Sequence, residues 1–212
     1  MVLRCGFLRI SLPLLLPLYA CLLYACGGPK VPNLDSPGTT IICFGDSITY
    51  GVGAREAESY PQRLAERLGV DLINLGVPGD TAADGLARLD EVLDQDPWLV
   101  IVEFGGNDIL QRRPLEETDA SLRSILDGLL AARVVPVLIE IRNPLDGDPM
   151  RALFDRLQRE YQVPMVEDIL PRILLSPGLK ADPIHPNAEG YRKLAAAVAK
   201  EVKPILKARG VR

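Results

Sequence analysis

The chain has 212 residues, 48% of them hydrophobic and 25% charged, with a net charge of −4 at pH 7. This composition indicates one globular domain and excludes a disordered chain. The acidic balance and the absence of a Lys/Arg cluster argue against a nucleic-acid partner. The single histidine, His185, excludes a metal site built from several histidines, and the four cysteines do not form a disulfide framework. We therefore expect neither a metal nor a cofactor.

Residues 1–25 have the pattern of a secretory signal peptide. Arg4 and Arg9 precede an apolar run that is short for a bilayer-spanning helix. The run ends in Leu-Tyr-Ala followed by Cys26, which resembles the lipobox of bacterial lipoproteins. The resemblance implies a lipidated Cys26, a membrane anchor and a periplasm-facing location in the cell envelope. A cleaved signal without lipidation and an uncleaved anchor are the alternatives, and residues 26–38, rich in Gly, Pro and Asn, are expected to form a tether without regular structure.

The segment 39–209 alternates between β-type and helix-type patterns and is expected to be one domain. Short, mostly apolar runs predict five strands, at Thr39–Phe44, Val70–Asn74, Trp98–Phe104, Val134–Ile141 and Met165-Val166. Apolar residues at helical spacing predict five helices, at 60–68, 81–93, 122–130, 149–161 and 188–207. Thr81 and Asp84 form a capping-box pattern at the start of the second helix. The alternation predicts an α/β fold, a parallel sheet with helices on both faces.

Four polar positions follow the predicted strands or precede the last helix. Ser47 follows the first strand, Gly79 the second and Asn107 the third, whereas His185 lies in the loop before the final helix. Ligands of open parallel sheets bind at the carboxyl ends of the strands. We therefore expect these four positions to meet at one edge of the sheet.

The chemistry available to Ser47 depends on a base. A serine hydroxyl is a weak nucleophile until a neighbouring group removes its proton. His185 is the one side chain of the sequence whose unperturbed pKa lies near neutrality. Its second ring nitrogen needs an acceptor, and Asp182, three residues upstream, is the best candidate, with Asp168 and Asp46 as alternatives.

Acyl transfer at a serine also requires donors that stabilise an oxyanion. Gly79 offers a backbone N–H that no side chain obstructs, and Asn107 offers a side-chain amide. The backbone N–H of Ser47 itself is a third candidate. Two neighbouring aspartates are expected to support the loops, with Asp46 holding its own turn and Asp108 bracing the Asn107 loop.

These motifs resemble the four blocks of the SGNH (GDSL-type) hydrolase family, in the family's order. The blocks are Gly45-Asp46-Ser47, Gly79, Gly105-Gly106-Asn107-Asp108 and Asp182-Pro183-Ile184-His185. The similarity is greatest to the bacterial thioesterase I, lysophospholipase L1 and arylesterase branch. It implies a flavodoxin-like three-layer α/β/α fold with sheet order 2-1-3-4-5.

The same resemblance implies the roles of the site residues. Ser47 would be the nucleophile, His185 the base and Asp182 its orienting carboxylate. The oxyanion hole would consist of Ser47, Gly79 and Asn107. Arg142 is expected either to contact substrate or to form an ion pair, and Cys43 to be a core residue.

The expected function is that of a serine esterase acting through an acyl-enzyme. Its substrates would be short-chain or aryl esters, lysophospholipids or acyl thioesters, and an envelope location favours lysolipids over cytosolic acyl-CoA. The alternative is a non-catalytic envelope lipoprotein that binds an acyl or glycan ligand in the same cleft. The sequence indicates no oligomeric state.

Overall fold

A five-stranded parallel sheet in the order β2-β1-β3-β4-β5 forms the centre of the molecule. The computed structural model describes residues 31–142 and 149–211. The strands are β1 Thr40–Gly45, β2 Ile73–Gly76, β3 Pro97–Glu103, β4 Val135–Ile139 and β5 Met165–Val166. Every residue of β3 and β4 is buried, which explains why both strands are apolar except for Glu103 at the end of β3. The expected fold class and sheet order are confirmed.

Strand β2 begins later than the sequence predicted. The prediction placed it at 70–74, but Val70 belongs to the turn that ends the preceding helix. Its N–H donates to the carbonyl of Ala65, and Gly69 caps that helix in the left-handed conformation, with φ of 67°. The chain is free to pair with β1 only from Ile73 onward.

Helices cover both faces of the sheet, with α2 packed against α9 and α3 packed against α6. The helices are α1 Ser47–Tyr50, α2 Tyr60–Leu68, α3 Ala82–Ala87, α4 Leu89–Leu93, α5 Gly106–Leu110, α6 Leu115–Ala131, α7 Pro149–Tyr161, α8 Ile169–Leu174 and α9 Ala188–Arg209. The helix predicted over 81–93 is divided at Arg88, whose backbone departs from helical geometry. The Arg88 side chain there bonds to Asp80 at 2.6 Å and to the Gly45 carbonyl at 3.1 Å.

The segment 31–38 contains no helix or strand and is attached to the domain. Asn33 donates to the carbonyls of Leu130 and Val134, both at 3.1 Å. Arg209 donates to carbonyls of the segment at 2.7 and 2.8 Å and lies 4.3 Å from the ring centroid of Trp98. Val134 and Trp98 mark the amino ends of β4 and β3. The segment therefore lies at the amino edge of the sheet.

The predicted signal peptide and Cys26 lie outside the described residues. Within the described ranges, no helix has the length and apolar character that a membrane crossing requires. The last helix ends at Arg209, where Gly210 caps it in the left-handed conformation.

The capping box predicted at α3 is present, and removing it should cost stability. The Thr81 hydroxyl accepts the N–H of Asp84 at 3.3 Å, and the Asp84 carboxylate accepts the N–H of Thr81 at 2.9 Å. We expect Thr81→Ala to lower the free energy of unfolding by about 1 kcal/mol in urea denaturation. Ser124→Ala is the matched control, because its exposed hydroxyl bonds only within α6. Equal midpoints for the two variants would contradict the prediction.

Candidate active site

Ser47 lies in the tight turn between β1 and α1. Strand β1 ends at Gly45, Asp46 caps α1 by accepting the Ile48 N–H at 2.9 Å, and Ser47 is the first helical residue. Gly45 is required here, because a Cβ would lie 2.1 Å from the Thr49 hydroxyl. The turn is buried on its inner side, whereas Ser47 is partly exposed. Rigid backbone therefore presents the hydroxyl to the carboxyl edge of the sheet.

The loop before α9 brings His185 to Ser47. The Asp182 carboxylate accepts the backbone N–H groups of Ile184 and His185, both at 2.9 Å, which closes a tight turn. Its second oxygen lies 2.7 Å from Nδ1 of His185, and Nε2 of His185 lies 3.0 Å from the Ser47 hydroxyl oxygen. The three side chains form one hydrogen-bonded chain.

The two alternative partners of His185 are engaged elsewhere. Asp168 forms an ion pair with Arg142, and Asp46 bonds to Ile48 and to the amide of Asn107. Burial opposes ionisation of Asp182, but hydrogen bonds from His185 and two backbone N–H groups hold the pKa of Asp182 below its usual value. Asp182 is thus an anion at neutral pH, beside Nδ1.

The Asn107 amide links the turn that contains Ser47 to the loop that contains Gly79, and the three groups stay candidate oxyanion donors. The amide of Asn107 donates to the Asp80 carbonyl at 2.9 Å and to Asp46 at 3.1 Å. Gly79 has φ of 94°, and a Cβ there would meet nothing within 4 Å, so the space above it is open. The N–H groups of Ser47 and Gly79 have no acceptor among residues 31–142 and 149–211.

Asp108 braces the Asn107 loop, as expected. One of its oxygens accepts the N–H of Ala82 at 3.0 Å, and the other accepts the Thr118 hydroxyl at 2.9 Å. These bonds fix α5 against α3 and α6. Cys43 is a core residue, because it is fully buried and burial raises its thiol pKa to about 12.

An apolar cavity of about 390 Å³ is lined by Ile48 and Ile184, which are the chain neighbours of Ser47 and His185. Its walls come from α1, α5, α8 and the histidine loop, and two cations, Arg142 and Lys180, also line it. Arg142 is paired with Asp168 and lies 3.7 Å from the buried Glu140, so it is both an ion-pair partner and a wall residue. A larger groove of about 660 Å³ near β5 lies among α7 and α9 residues, away from Ser47.

Two contributors to this site were missed in the sequence. Helix α8 supplies Leu170 and Leu174 to the cavity wall. Their spacing of four residues is typical of one helix face, but Pro171 between them argued against a helix in the sequence. Glu103 is a carboxyl group with no exposed surface at the end of β3. A glutamate in an otherwise apolar strand was the signal for it. No group of three or more potential metal-ligating side chains occurs in the described part of the chain.

A serine, an imidazole and a carboxylate hydrogen-bonded in sequence at the carboxyl edge of a flavodoxin-like sheet define a serine-hydrolase type of site. Comparison with known proteins gives the family. Residues 43–193 match the GDSL-like Lipase/Acylhydrolase family. The chain belongs to this family, the SGNH hydrolases, whose members include esterase-type enzymes.

Three relatives illustrate the similarity. The Escherichia coli K12 protein named Thioesterase 1/protease 1/lysophospholipase L1 is 31% identical over 176 residues, covering 79% of this chain and 85% of that protein. The crystal structure of TesA has a TM-score of 0.73 at 29% identity, covering 79% of this chain and 100% of that one. AlinE4, described as an SGNH-hydrolase family esterase, has a TM-score of 0.62 at 34% identity, covering 80% and 97%.

Proposed function

We propose that this protein is a serine esterase that hydrolyses carboxylic esters through an acyl-enzyme. The observation that carries the proposal is the hydrogen-bonded chain from Asp182 through His185 to Ser47, with distances of 2.7 and 3.0 Å. An imidazole held by a carboxylate on one nitrogen and by a hydroxyl on the other is arranged for general-base catalysis.

In the first half-reaction, Nε2 of His185 takes the proton of the Ser47 hydroxyl while the oxygen bonds to the ester carbonyl carbon. The carbonyl electron pair moves to oxygen, which becomes an oxyanion. When the tetrahedral intermediate collapses, the bond to the alcohol oxygen breaks and His185 protonates the leaving alcohol. Water then repeats the sequence on the acyl-enzyme, releasing the carboxylic acid and restoring Ser47.

The oxyanion is stabilised by the N–H groups of Ser47 and Gly79 and by the Asn107 amide. The two backbone groups lack acceptors among the described residues, so they bind the oxyanion without losing another bond. The Asn107 amide already donates to Asp80 and Asp46, so one of its N–H groups must be shared between its present acceptor and the oxyanion. The position of the Asn107 amide is therefore set by its two acceptors.

The apolar cavity supports esters with short or medium acyl chains, aryl esters and lysophospholipids as substrates, with acyl thioesters also included. Its walls are formed by neighbours of the reacting groups: Ile48 follows Ser47, Gly106 precedes Asn107, and Ile184 precedes His185. An acyl chain in this cavity would place its carbonyl carbon next to Ser47. Similarity to the E. coli thioesterase and lysophospholipase also supports this substrate range.

Narrowing the cavity should shorten the acyl chain that the enzyme accepts. Leu174→Trp fills space at the α8 wall, so we expect kcat/KM for p-nitrophenyl octanoate to fall about tenfold relative to the acetate ester. A chain-length series on purified residues 27–212 is the measurement. Val211→Trp, at an exposed position outside this cavity, is the control. If the ratio of kcat/KM for the octanoate ester to that for the acetate ester does not change, the acyl chain does not bind in this cavity.

Labelling by a fluorophosphonate probe distinguishes the esterase from a non-catalytic lipoprotein that binds an acyl or glycan ligand. An activated Ser47 attacks the phosphorus and expels fluoride, giving a stable adduct. We expect stoichiometric labelling that mass spectrometry locates at Ser47. Intact protein that resists the probe while still binding a fatty acid would favour the lipoprotein.

We further propose that Cys26 carries a lipid anchor in the bacterial envelope. Five residues lead from Cys26 to Val31 and span about 17 Å when fully extended. Residues 31–38 are attached at the amino edge of the sheet, whereas Ser47 lies at the carboxyl edge. A short tether would hold the amino edge towards the bilayer and turn the site away from it.

Metabolic labelling with a fatty-acid probe tests the anchor. The wild-type protein should incorporate the label and remain with membranes, and Cys26→Ala should do neither. Cys21→Ala is the matched control, because it also follows an alanine in the apolar run. A wild-type protein without label would leave a cleaved signal or an uncleaved anchor, and equal labelling of wild type and Cys26→Ala would place the lipid on another residue.

A further inference from the structure

Two turns that carry candidate oxyanion donors are joined by one side chain, that of Arg88. Its Nε donates to the Asp80 carboxylate at 2.6 Å, and its Nη2 donates to the Gly45 carbonyl at 3.1 Å. Asp80 directly follows Gly79, and Gly45 lies two residues before Ser47. Arg88 therefore connects the chain neighbours of the two backbone donors.

Gly79 lies in a tight turn over residues 77–80. The Asp80 N–H donates to the Val77 carbonyl at 3.2 Å, and Pro78 occupies the second position of the turn. Gly79, in the third position, has φ of 94°. These features are those of a type II turn, whose third position favours glycine. The direction of the Gly79 N–H is thus set by where the two ends of this turn are held.

Both ends of the Gly79 turn are attached to the Gly45 carbonyl. The N–H of the first turn residue donates to this carbonyl at 3.0 Å. At the last residue, the Asp80 carboxylate is connected to the same carbonyl through Arg88. The Asp80 carbonyl also accepts the Asn107 amide at 2.9 Å. A displacement of Asp80 would therefore move two of the three candidate donors.

The ion pair of Arg88 and Asp80 is largely enclosed by protein. The two side chains are 14% and 15% exposed, and Cζ of Arg88 lies 4.7 Å from the ring centroid of the buried Phe44. A surface ion pair contributes little, because water screens it and both side chains stay mobile. An enclosed pair resists breaking, because the remaining charge would be buried without its partner. This pair can therefore hold the Gly79 turn in one position.

We propose that Arg88 is a positioning residue of the oxyanion hole, which holds the Gly79 N–H and the Asn107 amide in place through Asp80. Arg88 does not line the apolar cavity, so it acts through its neighbour and not on substrate. A donor stabilises an oxyanion only within hydrogen-bond distance, so a displacement of about 1 Å is expected to slow the reaction strongly. This inference rests on the proposed esterase function.

Steady-state kinetics of Arg88→Met test the proposal. Methionine keeps an apolar contact with Phe44 but has no donor, so kcat for p-nitrophenyl butyrate should fall by about 10–100-fold with KM within about twofold of wild type. Arg209→Met is the matched control, because Arg209 also lies over an aromatic ring and donates to backbone carbonyls, but at the amino edge of the sheet. It should keep the kcat of wild type. A wild-type kcat in Arg88→Met, or a loss confined to KM, would overturn the proposal.

A double-mutant cycle shows whether Arg88 acts through Asp80. Asp80→Ala removes the carboxylate but leaves the backbone carbonyl that accepts the Asn107 amide. It breaks the same link and replaces Arg88→Met as the test if that variant does not fold. The double variant should lose no more kcat than the more damaged single variant, because both substitutions break one link. Losses that multiply in the double variant would contradict an action through Asp80.

NMR of a phosphonate adduct supplies a readout that does not depend on turnover. When Ser47 attacks a fluorophosphonate, the phosphoryl oxygen of the adduct takes the position of the oxyanion, and amide protons that bind it should move downfield. The Gly79 amide proton should move in wild type but not in Arg88→Met, whereas the Ser47 amide proton should move in both. Equal Gly79 shifts in the two proteins would overturn the inference and leave the esterase function intact. A wild-type Ser47 that the probe does not label would refute the proposed function instead.

Discussion

Ser47→Ala should reduce kcat for p-nitrophenyl butyrate by at least about 10⁴, because no other hydroxyl is bonded to His185 in the described structure. The remaining rate would come from the oxyanion donors and substrate binding alone. The variant should fold normally, since Ser47 is partly exposed and its side chain does not cap α1. Steady-state kinetics of the purified variant, with folding checked by circular dichroism, measure this effect.

Ser124→Ala serves as the matched control for Ser47→Ala. Its hydroxyl is exposed on α6 and bonds only to the Ala120 carbonyl, so its kcat should equal that of wild type. Retained hydrolysis by Ser47→Ala would remove the serine from the mechanism and, with it, the proposed acyl-enzyme.

Asp182→Asn should lower kcat by about 10²–10⁴. The carboxylate accepts the Nδ1–H of His185 at 2.7 Å, and an amide that turns its NH₂ group to this nitrogen would favour the wrong tautomer. The imidazolium that forms as Ser47 reacts would also lose its neighbouring negative charge. The kinetic measurement is the same, with Asp90→Asn on the exposed surface of α4 as control. Equal rates for the two variants would contradict the role of Asp182.

The same substitution should change stability in a pH-dependent way. The folded-state pKa of Asp182 lies below its unfolded value, so its hydrogen bonds contribute stability that is fully present above the unfolded pKa of about 3.9. That contribution is lost as pH falls through the folded pKa. Asp182→Asn should thus be less stable than wild type at pH 7, and the difference should vanish in acid.

The sequence was sufficient for the elements whose pattern is local. Strand β3 is apolar from Pro97 to Val102, and the Thr81–Asp84 capping box marks the start of α3. Both were predicted because side-chain burial and end capping depend on residues close together in the chain. The boundary of β2 was missed, because the turn after α2 competes for Val70 through a bond to Ala65.

The same contrast holds for the site. Positions at strand ends and the order of the motifs led to the prediction of Ser47, Gly79, Asn107 and His185 as site residues. The choice of Asp182 over Asp168 and Asp46 was left open by the residues alone. Distances decided it, because Asp168 is bonded to Arg142 and Asp46 to Asn107. Which carboxylate bonds to His185 thus depends on the partners that the other two carboxylates find in the folded structure.

The sequence by itself thus determined the α/β class, and the family resemblance supplied the sheet order. The catalytic roles of Ser47, Asp182 and His185 stay predictions. Only the tertiary structure decided which groups surround them: the α8 wall of the cavity, the attachment of residues 31–38 at the opposite edge, and Glu103 beneath Asp46. The physical reason is that strand pattern and motif order depend only on the order of residues in the sequence. Burial, and the hydrogen bonds that compensate it, depend on segments that meet only when the sheet closes.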